Sequence, residues 1–122
     1  LGNAWQIFLQ YPIFGVGLNN FIPTVASDLT IGPSRFLQPV HNIFLLALSE
    51  TGLIGLIGLI GLIGFPILRL SRLHPTLLPW IVIIFLGMFD HYFLTLPQGY
   101  RLLFLVWGLS FSMLKYFRGS NN

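Results

Sequence analysis

Residues 43–68 form an apolar run of about 26 residues, interrupted only by Ser49, Glu50 and Thr51. Crossing ~30 Å of hydrocarbon takes ~20 apolar residues in a helix. The run is long enough to do so with some tilt. No further charge follows Glu50 until Arg69. The whole chain is 55% hydrophobic and only 7% charged, where a soluble domain carries about 25% charged residues. Lipid is therefore the expected solvent.

Glycine recurs at every third position of this run, at Gly52, Gly55, Gly58, Gly61 and Gly64. Collagen is excluded because the repeat lacks proline. A strand is excluded because its side chains alternate with a period of two. In a helix, glycines three apart drift about 60° round the axis, so they trace a spiral rather than one seam. Two readings stay open. The smooth surface admits neighbouring helices or a lipid tail, or the repeat is compositional drift within a membrane helix. Pro66 is a candidate kink.

Two further apolar runs follow. One starts at Leu77 and extends through DHYFLTL to about Leu96; the other runs from about Leu102 to Leu114. Between them LPQGYR carries Pro97 and Gly99, both turn residues. Upstream, residues 3–11 read as a short helix with Trp5 and Tyr11, residues that favour the membrane boundary. It is expected to lie at the interface or to pack as a buried turn of helix, and Pro12 ends it. PIFGVGLNNF lacks the third glycine of a dinucleotide fingerprint. Residues 22–40 hold Pro23, Pro33 and Pro39 and read as a long loop with room for a turn of helix.

The sequence thus predicts an all-α polytopic membrane protein. Residues 1–40 form an outer-face loop with a short interfacial helix. Residues 41–122 form three spans, at about 43–68, 77–94 and 101–117, within one larger membrane domain of which this is the C-terminal portion. Arg69 and Arg72 follow the first apolar run, and Lys115 and Arg118 follow the third, which ends at about Leu114. Basic residues favour the cytoplasmic side. This puts the C-terminus in the cytoplasm and residues 1–40 in the periplasm. A net charge of +3 is too small and dispersed for nucleic acid. With no cysteine, thiolate metal sites are excluded. The three histidines lie far apart in sequence without metal-ligand spacing, so no metal site is expected.

On this topology the outer face gathers Arg35, His41, Asn42, Glu50, Asp90, His91 and Arg101. Glu50 sits ~13 Å along a helix from His41, below the surface, where a carboxylate marks function or a partner on another helix. His41 is a general base or a satisfied cap. Asp90 and His91 can pair with Arg101 to fix a helix hairpin. Arg35 is a phosphate-binding fork or a solvated loop charge.

His41 and Asn42, followed after nine residues by Gly52 and then Gly55, resemble the motif of O-antigen ligases and the related O-antigen polymerase-like membrane proteins. Leu45 and Glu50 match its wider form. The upstream PIFGVGLNNF and the later FDHYFLTLPQG are similar to segments of the same family, in the same order. The resemblance implies a glycosyltransferase that moves a glycan from an undecaprenyl-diphosphate carrier to an acceptor, of lipid A–core type for a ligase, on the periplasmic face. It implies His41 as the catalytic residue, with Arg35, Asn42 and Glu50 contacting substrate and Asp90, His91 and Arg101 in support. It implies no metal and no cofactor. The partners would be a lipid-linked oligosaccharide donor, a glycolipid or polysaccharide acceptor and the lipids of the bacterial inner membrane. Polymerases and ligases that modify proteins or other surface polymers share the donor chemistry and stay open. So do a transporter or flippase segment, in which Glu50 and Asp90 would couple to protons, and a membrane packing subunit.

Overall fold

The computed structural model describes residues 1–28, 37–70 and 75–119, without the side chains of Asp28 and residues 114–119. Every regular element among them is helical: α1 (Gly2–Gln10), α2 (Phe21–Asp28), α3 (Ile43–Arg69), α4 (Leu77–Gly87), α5 (Tyr92–Thr95) and α6 (Pro97–Gly119).

The short helix expected over residues 3–11 is α1. It buries Ala4 and Ile7, three positions apart on one face, against α3. Its C-cap Tyr11 leaves the helical region just before Pro12. The turn of helix allowed for in the long loop is α2, just over two turns long and starting at Phe21.

The long apolar run is α3, and its start is set by Asn42. The Asn42 carboxamide oxygen accepts from the backbone N–H groups of Phe44 (3.0 Å) and Leu45 (2.9 Å). This satisfies two of the donors that a helix N-terminus leaves open. Its amide nitrogen donates to the Met88 carbonyl at 3.0 Å, tying the start of α3 to the end of α4.

The interruption in α3 lies at Gly52, not at Pro66. Gly52 has φ 65° and ψ −162°, outside the helical region. Such a break strands carbonyls above it and N–H groups below it. Residues 12–17 supply the missing partners on both sides. Val16 and Gly17 donate to the Ser49 and Glu50 carbonyls at 3.1 and 2.7 Å. Leu53 and Ile54 donate to the Pro12 and Ile13 carbonyls at 2.9 and 3.4 Å. The approach needs glycine on both sides. A Cβ on Gly15 would meet the Glu50 backbone, and one on Gly52 would meet the Ile13 carbonyl.

The core falls into two clusters that share α3. Leu46 packs with Ala4 and Ile7 of α1 and with Phe21 and Val25 of α2. Ile43, Ala47, Leu59 and Ile63 pack with α4, α5 and α6 through Trp80, Ile83, Phe93 and Leu103. Gly87 lets α4 close on α3, since its absent Cβ leaves room for the Ile43 side chain. Trp80, fully buried, donates its indole N–H to Ser110 Oγ at 3.0 Å, joining α4 to α6.

The apolar run after Leu77 does not continue as one helix. α4 ends at Gly87 after 11 residues, and the chain turns through Asp90 and His91 into α5. Nor do Pro97 and Gly99 form the loop of a hairpin. Pro97 is the first residue of α6, a position where its missing N–H costs nothing. Gly99 allows α6 to start against the Tyr92 carbonyl. Within the predicted second span, 77–94, the helix is interrupted between Gly87 and Tyr92, and the third, 101–117, lies inside the longer α6. Among the described residues, α3 alone is both long and apolar enough to cross a membrane.

Large apolar side chains point outward along these helices. Leu53, Ile54, Ile57 and Ile60 of α3 are each at least half exposed, as are Phe85 of α4 and Phe104 of α6. Water penalises such a surface and hydrocarbon does not. The open faces thus agree with the composition.

Candidate functional site

The first turn of α3, the end of α4 and the turn before α5 converge on one point. The Asn42 tie to Met88 brings His41 beside Asp90 and His91. The His41 and His91 rings lie 5.1 Å apart, tilted by 50°. Asp90 Oδ1 stands 3.7 Å from His41 Nδ1 and 4.0 Å from His91 Nε2. The side chains of His41 and Asp90 are 53% and 31% exposed, while that of His91 is only 12% exposed. A reactant can therefore reach His41, with His91 behind it.

Each ring is held from its far side. The Thr95 hydroxyl donates to the His91 carbonyl at 3.1 Å, so its oxygen accepts from His91 Nδ1–H at 2.7 Å. That fixes the His91 proton on Nδ1 and leaves Nε2 a free lone pair. His41 Nε2–H donates to Gln38 Oε1 at 3.2 Å, leaving Nδ1 as the free nitrogen. Asp90 Oδ1 also accepts from the backbone N–H of His91 at 2.7 Å, which pins the carboxylate. Burial holds the His91 imidazole below its ordinary value of 6.5; Asp90 pulls it upward and His41 adds to the lowering.

His41 borders a cleft of about 760 Å³ that reaches toward α1 and α2. Val25, Leu37, Val40 and Leu45 give it apolar walls, and Gln38 and Asn42 stand near His41. A cleft of this kind suits a ligand with an apolar part and a polar end.

The other predicted residues are placed differently. Glu50 is not at this cluster. It is buried at the α3 break, and its Oε1 accepts from the Phe21 backbone N–H at 3.2 Å, closing the first turn of α2. Asn42 spends its side chain on the α3 cap and on Met88. The ion partners of Asp90 among the described residues are His41 and His91; the pairing with Arg101 is not formed, and Arg101 is exposed. Arg35 lies outside the described residues, as do Arg72 and His74.

Sequence reasoning missed Gln38 and Thr95, which orient the two rings, and the seat of residues 12–17 in α3. The available signals were the polar residue three positions before His41, the hydroxyl four positions after His91, and Gly15 and Gly17 ahead of Gly52.

A family model described as O-antigen ligase matches residues 1–60. Over that segment the chain is similar to the O-antigen ligase family. The matched segment of this O-antigen ligase-like chain holds His41, Asn42, Glu50 and both partners of the α3 break, Gly15 and Gly52. It ends inside α3, so Asp90 and His91 come from outside it. No curated protein and no solved structure matches the chain. At the family level the chain is ligase-like and membrane-associated, and α3 supplies a helix fit to span a bilayer.

Proposed function

We propose that this chain is the C-terminal part of a membrane glycosyltransferase. It transfers a glycan from an undecaprenyl-diphosphate carrier to a lipid A–core type acceptor on the periplasmic face of the inner membrane. The observation that carries the reading is that the family-matched segment sets His41, half exposed, at the edge of an apolar cleft.

The chemistry follows from the ring's fixed tautomer. With its proton held on Nε2 by Gln38, His41 offers the Nδ1 lone pair to the acceptor hydroxyl. Nδ1 takes the hydroxyl proton as the acceptor oxygen bonds to the anomeric carbon, and the bond from that carbon to the diphosphate breaks. The electron pair leaves with the carrier diphosphate. Asp90, 3.7 Å from Nδ1, stabilises the imidazolium so formed. Arg35 is assigned to the diphosphate charge, as a fork of donors matched to phosphate oxygens. Asn42 and Glu50 act by holding α3 and α2 in place around the cleft. Residues 1–40 are assigned to the periplasm, residues 41–122 to the membrane domain and the C-terminus to the cytoplasm.

Replacing His41 with Ala in the intact protein should abolish glycan transfer to the acceptor, read on gels of the surface glycolipid, while the membrane-inserted amount stays unchanged by immunoblot. Transfer that persists in that variant overturns the role of His41.

A further inference from the structure

Sequence distance argues against a metal site, yet the fold brings together two histidines and a carboxylate from three different places in the chain. The geometry points to a site for a divalent transition metal, Zn²⁺ above all, formed by His41, Asp90 and His91, whose occupancy switches the base off.

The donor set carries this. The three ligand atoms lie within 4.8 Å of one another. Tetrahedral zinc with bonds of 2.0–2.2 Å places its ligand atoms about 3.4 Å apart. The separations of 3.7 and 4.0 Å from Asp90 Oδ1 exceed this by roughly half an ångström. Closing these gaps takes small movements of both Asp90 and His41, whose side chains are 31% and 53% exposed, with His41 also drawn toward His91. Two imidazoles and a carboxylate are a zinc ligand set, and the open side of His41 leaves a fourth position for water.

Both rings are already in the form a metal needs. A ligating histidine donates its other N–H to an oxygen, which fixes the tautomer and turns the lone pair to the metal. His91 does so through Thr95, and His41 through Gln38. A metal on His41 Nδ1 occupies the lone pair assigned above to the acceptor proton. Zn²⁺ would then inhibit transfer. The inhibition rests on the glycosyl-transfer reading; the binding does not.

Binding is tested on the intact chain purified in detergent, by titrating ZnCl₂ in competition with a chromophoric chelator. The expected result is one Zn²⁺ per chain, lost in Asp90→Asn and weakened about tenfold in Thr95→Val, the loss typical of removing an outer-shell partner. Both variants keep the shape of the side chain, and circular dichroism checks that helicity is retained. Co²⁺ added to the unaltered chain should give the intense visible absorption of a tetrahedral site. Absence of binding by the unaltered chain, or equal affinity in both folded variants, overturns the site. In a transfer assay Zn²⁺ should slow the reaction and EDTA restore it. A transfer rate unmoved at Zn²⁺ levels that fill the site overturns the switch. Binding as described with no transfer under any condition overturns the glycosyl-transfer reading and supports the site.

Discussion

Gly52 lies so close to the Ile13 carbonyl that a β-carbon on it has no room. Two separate demands meet there. The backbone holds φ 65° and ψ −162°, a region essentially reserved for glycine that costs other residues about 1–3 kcal/mol. The neighbour is backbone, which cannot swing aside as a side chain can. Gly52→Ala should destabilise the protein by about 3 kcal/mol and release residues 12–17 from α3. Gly61→Ala should be neutral or slightly stabilising, because a Cβ there meets open space. Unfolding in detergent, followed by circular dichroism, separates the two.

Glu50 tests whether a buried carboxylate serves the fold or the chemistry. It accepts the Phe21 backbone N–H at the start of α2. Glu50→Ala should remove that cap and weaken the protein by about 1 kcal/mol, while Glu50→Gln keeps an acceptor oxygen and most of the stability. Hydrogen exchange at the Phe21 amide should rise in the first variant and change little in the second. Equal exchange in both would show that the carboxylate does not hold α2.

Asn42 has two roles, acceptor and donor, that one conservative change divides. Asn42→Asp keeps the acceptor for Phe44 and Leu45 but loses the donor to Met88. Asn42→Ala loses both. The alanine variant should lose about 1–2 kcal/mol and the aspartate variant less. Because the donor is what sets α3 beside the Asp90 turn, a disulfide-type crosslink between cysteines introduced at His41 and His91 should slow in both variants. An unchanged crosslinking rate in Asn42→Asp would remove the Met88 bond from the account.

The buried ring of His91 sets a pH dependence. Its pKa lies below 6.5 in the folded chain and near 6.5 unfolded. Between those values the unfolded chain binds more protons, so stability rises with pH there. The stability is full above about pH 6.5 and is lost as the pH falls through the folded pKa. Melting in detergent with EDTA present should show this loss on acidification, and His91→Gln should flatten it. A melting temperature that rises on acidification through this window would reverse the sign.

Much of α3 is legible in its residues. A long apolar run has one stable form in lipid, and an asparagine just ahead of it has the chemistry of a cap. The residues His41 and Asn42 at its mouth were legible by their spacing to Gly52 and Gly55. The break was not. Five glycines with one spacing look alike in the sequence, and only the partner segment distinguishes Gly52, which must admit Ile13, from Gly58, which meets nothing. Pro66 carried the stronger local signal for a kink, yet it sits inside continuous helix. The His41–His91 pairing was also hidden, because periodicity reports which face of a helix is apolar and not which distant turn meets its end. Pro97 misled for a related reason. Proline stops a helix that precedes it but suits the first position of one that follows.

Below its break, α3 runs from Leu53 to Arg69, a rod of about 25 Å against a hydrocarbon layer of ~30 Å. On the proposed topology, a rod that short leaves its upper end within the lipid when its basic end reaches the opposite headgroups. The exposed backbone at Gly52 would face hydrocarbon without residues 12–17. That segment is synthesised before α3 and must be at hand when α3 enters the bilayer. The chain thus carries its own insertion constraint, in which the depth of one helix is set by a loop made ahead of it.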